Sequence, residues 1–268
     1  MSCDFHGNDL WNVQISGEHC GGHCAATPEC THFTRTKYNG GACCMKKGPI
    51  SKDNAFRTND PFMVYGVRDN IGRGGDCSWS GKVAGSNAYV KSCQKDGNWV
   101  WSNPHAGNGC HGEAAFTCNN QQPWAVNDQL AYGFAAATIP GLSEQERCCT
   151  CYKLDFTSGP VQGKSMIVQI TNSGDDVRSQ QFDLQIPGGG VGLFNGCSSQ
   201  WNSSSNGWDH RYGGVSSRGE CYALPESIRA GCLFRFDWFK GADNPRMTYS
   251  RVQYPAQLVA ITGCSRRG

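Results

Sequence analysis

The chain has 268 residues, is 38% hydrophobic and carries a net charge of +2 without any basic run, which argues against nucleic acid and anionic membrane surfaces as partners. Seventeen cysteines among 35 glycines describe a loop-rich fold that leans on cross-links, and they place the protein in an oxidising, secreted setting. No apolar run approaches the roughly 20 residues that a membrane-spanning helix needs.

The chain begins MSCDFHG, and no basic stretch followed by an apolar one is read there. Six cysteines crowd the first 44 residues and none follows until Cys77. The intervening FMVYGVRDNIGRGGDC is rich in glycine, so a domain boundary is expected near residue 69, giving modules 1–69 and 70–268. In the first module, Cys20 and Cys24 are spaced to share one face of a short helix, and THFTRTKY alternates like a strand.

In the second module, NDQLAYGFAAA predicts a helix with Asn127 as its N-cap. TCYKLDF, SMIVQIT, LFRFDWF, MTYSRVQ and QLVAI, each β-branched or aromatic and bounded by turn residues, predict short strands. Together they suggest a small closed β-barrel with appended loops. CCTC at Cys148, Cys149 and Cys151 invites zinc, but paired CxxC knuckles and HxxxH spacings are absent, so no metal and no cofactor is expected. The odd cysteine count leaves at least one thiol without a partner in the chain.

Three carboxylates are candidates for chemistry: Asp76 in GGDCSW, Asp176 in SGDDV and Asp183 in FDLQIPGGG. Asp183 stands in an apolar strand-like run and is followed by Pro187, Gly188, Gly189 and Gly190. Such a loop lets a ligand approach the backbone, and the apolar neighbours favour a protonated acid. Glycosidic hydrolysis needs that pairing, one carboxyl to protonate the leaving oxygen and another to activate water. Indole rings stack on sugar faces, and seven of the eight tryptophans lie in the second module. Trp79 is the best-placed platform, with Trp201 and Trp208 in WNSSSNGW as others, while Trp238 is expected in the core.

The segments CCTCYKLDFTSGPVQGKSMIVQITNSGDDVRSQQFDLQIPGGGVGLFNGC, RYGGVSSRGEC and GCLFRFDWFKGADNP resemble the family 45 glycoside hydrolases, the small secreted endo-β-1,4-glucanases. The resemblance implies a mainly β fold, a six-stranded double-psi barrel with short helices and an open groove for a β-1,4-glucan, worked by an inverting mechanism. It assigns Asp183 as general acid, Asp176 as the loop aspartate that assists it, and Trp79 as a stacking residue, with the three glycines leaving room for the glucan. It also pairs Cys77 with Cys148, Cys93 with Cys118, Cys149 with Cys264 and Cys221 with Cys232. The first module, through EHCGGHCAATPECTHFTRTKYNGGACCMKKG, resembles a disulfide-stapled α+β PAN/apple unit, which implies a glycan or protein ligand.

The chain departs from the family pattern where the general base belongs. IGRGGDCSWSGK places Gly74 and Gly75 where aromatics are usual and omits a short turn between Asp76 and Cys77. Asp76 is the base if the shortened chain delivers it. Otherwise the protein binds and loosens walls without hydrolysis, as expansins do, or the barrel serves to target the first module. The usual partners of Cys110 and Cys197 are missing, so these two are expected to lie near each other, where a replacement bridge is feasible if their Cα atoms approach within about 7 Å; Cys151 would then remain free. Gln181 replaces the histidine that usually precedes Phe-Asp.

Overall fold

A computed structural model describes strands 9–13, 32–36, 42–46 and 67–68 by their backbone, and residues 75–84, 88–103, 105–109, 113–173, 181–192 and 195–266 with side chains, apart from that of Cys197. Two compact units emerge, 1–63 and 64–268. The first contains an antiparallel sheet of β1 (Asp9–Val13), β2 (His32–Thr36) and β3 (Ala42–Lys46), with β3 in the centre. The strand expected in THFTRTKY is β2; the short helix expected around Cys20 and Cys24 lies outside the described residues.

The second unit begins with β4 (Val67–Arg68), which pairs in parallel with Leu184 and Gln185. That pairing ties residues 67 and 68 to the larger sheet, and the division falls at Met63/Val64 instead of near 69. The sheet has seven strands. Besides β4 they are β5 (Trp124–Ala125), β6 (Leu130–Thr138), β7 (Cys151–Phe156), β8 (Ser165–Asn172), β9 (Gln181–Gln185) and β10 (Met247–Val252). Their order is β10-β7-β8-β6-β9-β4, with β5 added antiparallel to β6.

The alanine-rich run expected to be a helix is therefore the central strand β6. It runs parallel to β8 and antiparallel to β9, and nearly every residue from Ala131 to Ala137 is covered. A strand buried on both faces loses its alternation, and periodicity cannot then separate it from a buried helix. Asn127 does bond like a cap: its Oδ1 accepts from the N–H groups of Gln129 and Leu130 at 2.9 and 2.8 Å. The same chemistry closes the turn between β5 and β6.

Two expected strands are helices. LFRFDWF ends α3 (Glu226–Asp237), which follows α1 (Glu144–Arg147) and α2 (Cys197–Trp201), and QLVAI forms most of α4 (Ala256–Thr262). Ile228, Gly231, Cys232 and Phe234 are the buried residues of α3, and a proline precedes each of α3 and α4. Gly263 ends α4 in the left-handed conformation at φ 69°. Trp238 is in the core as expected, stacked on Phe234 at 5.3 Å with its Nε1 donating to the Asn127 carbonyl.

The sheet has one apolar face, where Ala135, Leu154, Met166, Ile170, Phe182 and Leu184 form the main core. The other face carries Phe134 and Ile167, which join Leu258 in a second apolar cluster, together with polar side chains, and among the described residues four disulfides fasten the surrounding loops. They are the four that the resemblance implied: Cys77–Cys148, Cys93–Cys118, Cys149–Cys264 and Cys221–Cys232. The neighbours Cys148 and Cys149 thus bridge to the first and last cysteines of the unit, and all four lie in one buried cluster. Cys151 is free and buried, and burial pushes its thiol up to about 12. Cys110 and the side chain of Cys197 lie outside the described residues; Ser199 bonds the Gly109 carbonyl at 3.1 Å.

Candidate active site

Register determines which side chains can meet. Ala136 of β6 faces Asp183 of β9 on one side and Asn172 of β8 on the other. Directly paired residues stand on the same face, so Asp183 and Asn172 flank a methyl group, two strand spacings or about 10 Å apart. Asn172 reaches this face through an irregularity. Ala135 pairs with Ile170 and Ala136 with Asn172, leaving Thr171 as an extra residue in β8. Plain alternation from the core residue Ile170 would turn Asn172 into the core; the bulge turns it outward.

Asp183 is 1% exposed, sits between the core side chains Phe182 and Leu184, and accepts from Gln181 Nε2 at 3.0 Å. The glutamine that replaces the expected histidine thus keeps a donor on this carboxylate.

Asp76 opens a single 3-10 turn, Asp76–Ser78, whose next residue, Cys77, is bridged to Cys148. Its backbone N–H donates to Asn172 Oδ1 at 2.8 Å. The Ser173 hydroxyl lies 3.1 Å from Asp76 Oδ2 and 2.8 Å from Glu144 Oε1, so it can donate to either carboxylate. Gly75 is required for this approach, because a Cβ there would overlap the Thr171 carbonyl. Despite the shortened segment, Asp76 is placed beside the strand residue that faces Asp183 across Ala136.

Glu144, missed in the sequence, forms an ion pair with Lys82 at 2.7 Å. Burial raises its pKa, but hydrogen bonds from Lys82 and Ser173 and the charge of Arg147 outweigh this and hold it below the ordinary carboxylate value. Its SEQE context reads as a capping box, which Ser143 and Glu146 do form. The only sequence signal for Asn172 and Ser173 was their place at the end of a β-branched run.

Trp79 follows the turn at 40% exposure and meets His105 edge-on at 6.4 Å. Trp201 and Trp208 do not offer open faces; they are half-buried against the cluster around Val215, Leu224 and Ile228. Gly188, Gly189 and Gly190 are buried. A Cβ on Gly188 would meet Cys232 Sγ at 2.8 Å, one on Gly190 would overlap the Tyr212 backbone, and Gly214 packs against Gly189. The glycines serve close packing between the loop after β9, the 212–215 segment and α3. Asp176 lies outside the described residues, and among the described residues no cluster of side chains could hold a metal ion.

Comparison with known proteins adds an independent line. The sequence profile of Glycosyl hydrolase family 45 matches residues 72–265. A Fusarium oxysporum protein named "Putative endoglucanase type K" is 54% identical over 191 residues, 71% of this chain and 50% of that protein. An endoglucanase of Cryptopygus antarcticus is 49% identical over 191 residues, 71% of this chain and 83% of its own length. The chain thus spans about half the length of the first relative and most of the second. The crystal structure of cellulase from the Antarctic springtail Cryptopygus antarcticus superimposes with a TM-score of 0.72 at 46% identity, covering 76% of this chain and 96% of that one.

Proposed function

Because the chain belongs to glycosyl hydrolase family 45, we propose that it is a secreted endo-β-1,4-glucanase that cleaves internal bonds of a β-glucan with inversion. Asp183 protonates the leaving oxygen while Asp76 removes a proton from water, whose oxygen bonds to the anomeric carbon from the opposite side. The observation that supports this reading is that Asp183 and Asn172 both pair with Ala136, and the Asp76 N–H bonds Asn172; the mechanism calls for roughly 6.5–9.5 Å between the two carboxyls so that water can enter. Asp176 assists from its loop, and Trp79 stacks a glucose ring. The sheet is one wall of a double-psi barrel. The non-hydrolytic alternative has no observation in its favour.

The N-terminal unit is read as a PAN/apple module that binds a glycan or protein, supported by its cysteine pattern and its three-stranded antiparallel sheet. For the catalytic unit, reducing-end release from soluble β-glucan, with the product anomer followed by proton NMR, is the test. The α-anomer should appear first; initial β-anomer would falsify inversion, and binding without release would refute hydrolysis.

A further inference from the structure

We infer that Asn202 carries an N-linked glycan and that this glycan guards the loop it opens. The inference rests on the proposed secretion and is independent of the catalytic assignments. Asn202-Ser203-Ser204 is the single Asn-x-Ser/Thr triplet in the 268 residues, and neither its middle residue nor the following Ser205 is a proline. Such a triplet is recognised through the asparagine amide and the hydroxyl two residues on, so the group it takes is an oligosaccharide. The exposed Asn98, Asn103 and Asn206 have Val100, His105 and Trp208 at that place and lack the hydroxyl.

A triplet becomes a site only where the asparagine can bear a bulky polar group, and the structure meets that condition. Asn202 directly follows α2, is exposed, and takes the left-handed conformation at φ 55°. Asparagine adopts that conformation more readily than most residues with a Cβ, as at other helix ends. No hydrogen bond among the described residues engages its side-chain amide. Other residues hold the loop. Trp201 and Trp208 pack against the cluster around Val215 and Leu224, and Gly207 lies so close to Val191 that a Cβ would meet its Cγ1 at 2.7 Å. The Ser204 carbonyl accepts from Asn195 Nδ2 at 2.8 Å and from the Gly207 N–H at 3.0 Å. A sugar on Asn202 Nδ2 therefore displaces no hydrogen bond and no member of that cluster.

The donor is an oligosaccharide on a lipid pyrophosphate. Asn202 Nδ2 bonds to the anomeric carbon, the bond from that carbon to the pyrophosphate oxygen breaks, the lipid pyrophosphate leaves with the electron pair, and Nδ2 gives up one proton. Residues 202–206 read Asn-Ser-Ser-Ser-Asn and four of them are exposed, the composition of a loop that proteases nick. A glycan at the first of them blocks that approach.

The test isolates the natural full-length protein from secreted fluid and from cells separately and treats the folded protein with peptide N-glycosidase. The mass should fall by that of a core oligosaccharide, with the deamidation that the enzyme leaves mapped to Asn202, and the treated protein should be cut sooner by subtilisin within 202–206. Secreted protein without a glycan overturns the site while secretion stands. Protein found only inside cells and without a glycan overturns both. Equal cutting before and after treatment overturns the guarding role. This comparison uses the wild-type chain, so no variant has to fold. In chain secreted from yeast, Asn202→Gln should lose the glycan, as should Ser204→Ala, which leaves Asn202 in place; a glycan that persists in either variant overturns the assignment.

Discussion

Asp183 and Asp76 are held by different means. Asp183 is a strand residue whose position follows from the register of β9 on β6, and its immediate neighbours anchor it in the core. Asp76 belongs to a single 3-10 turn and depends on partners remote in sequence: Asn172 and Ser173 lie 96 and 97 residues away, and the Cys77–Cys148 bridge spans 71. Distant contacts therefore hold the carboxylate of the shortened segment in place of the missing local structure.

The comparison can be broken first at the strand. Asp183→Asn fills the same space but delivers no proton, so hydrolysis of soluble β-glucan should drop by about 10²–10⁴, with thermal stability and glucan binding nearly unchanged. Retention of most activity would remove Asp183 from the mechanism. Next, Cys77→Ser combined with Cys148→Ser should cost about 2–4 kcal/mol in urea unfolding, the usual range for a bridge. Because Asp76 adjoins this bridge, kcat should fall more than KM rises. An unaltered kcat would mean that Asn172 and Ser173 alone suffice.

Gly75→Ala sharpens the contrast further. The added methyl group meets the Thr171 carbonyl, so overpacking of about 1–3 kcal/mol and a selective loss of hydrolysis over glucan binding are expected. A crystal structure of the variant should show Asp76 displaced and Asp183 in place. The smallest effect concerns Glu144→Gln. The Glu144 pKa is depressed in the folded protein, so its contribution is present above the ordinary value of 4.5 and is lost as pH falls through its folded value. The variant should be less stable at pH 7 by no more than about 1 kcal/mol, given partial exposure of the pair. The difference should close below pH 4.5. A difference that persists in acid would assign the effect to packing.

What the sequence disclosed divides along the same line. FDLQIPGGG could be read because a single acid between apolar residues beside a glycine run is a local pattern. The four bridges could be read because family resemblance carries pairing with it. The central strand could not, because alanines buried on both faces have no period to detect. Nor could α3 and α4, whose LFRFDWF and QLVAI runs are short and aromatic or β-branched like strands, although Pro225, Pro255 and Gly263 stand at the helix ends. Asn172 was hidden for a further reason: its orientation depends on one extra residue in β8, visible only once β6 lies beside it. The close packing of Gly188 against Cys232 and of Gly190 against Tyr212 depends on segments remote in sequence and could not be read locally.

The adjacent cysteines 148 and 149 have a mechanical consequence. One is bridged to Cys77 and the other to Cys264, so tension applied at those two positions runs through two covalent bridges and a single peptide link. The strands between them lie off that path. A pull entering from the N-terminal side could peel β4 from β9 and would then meet the bridge at Cys77, leaving β6 to β9 unloaded. The sheet face that carries Asp183 is thus shielded from traction, and single-molecule stretching of the oxidised chain should show a short extension followed by a stop that disappears on reduction.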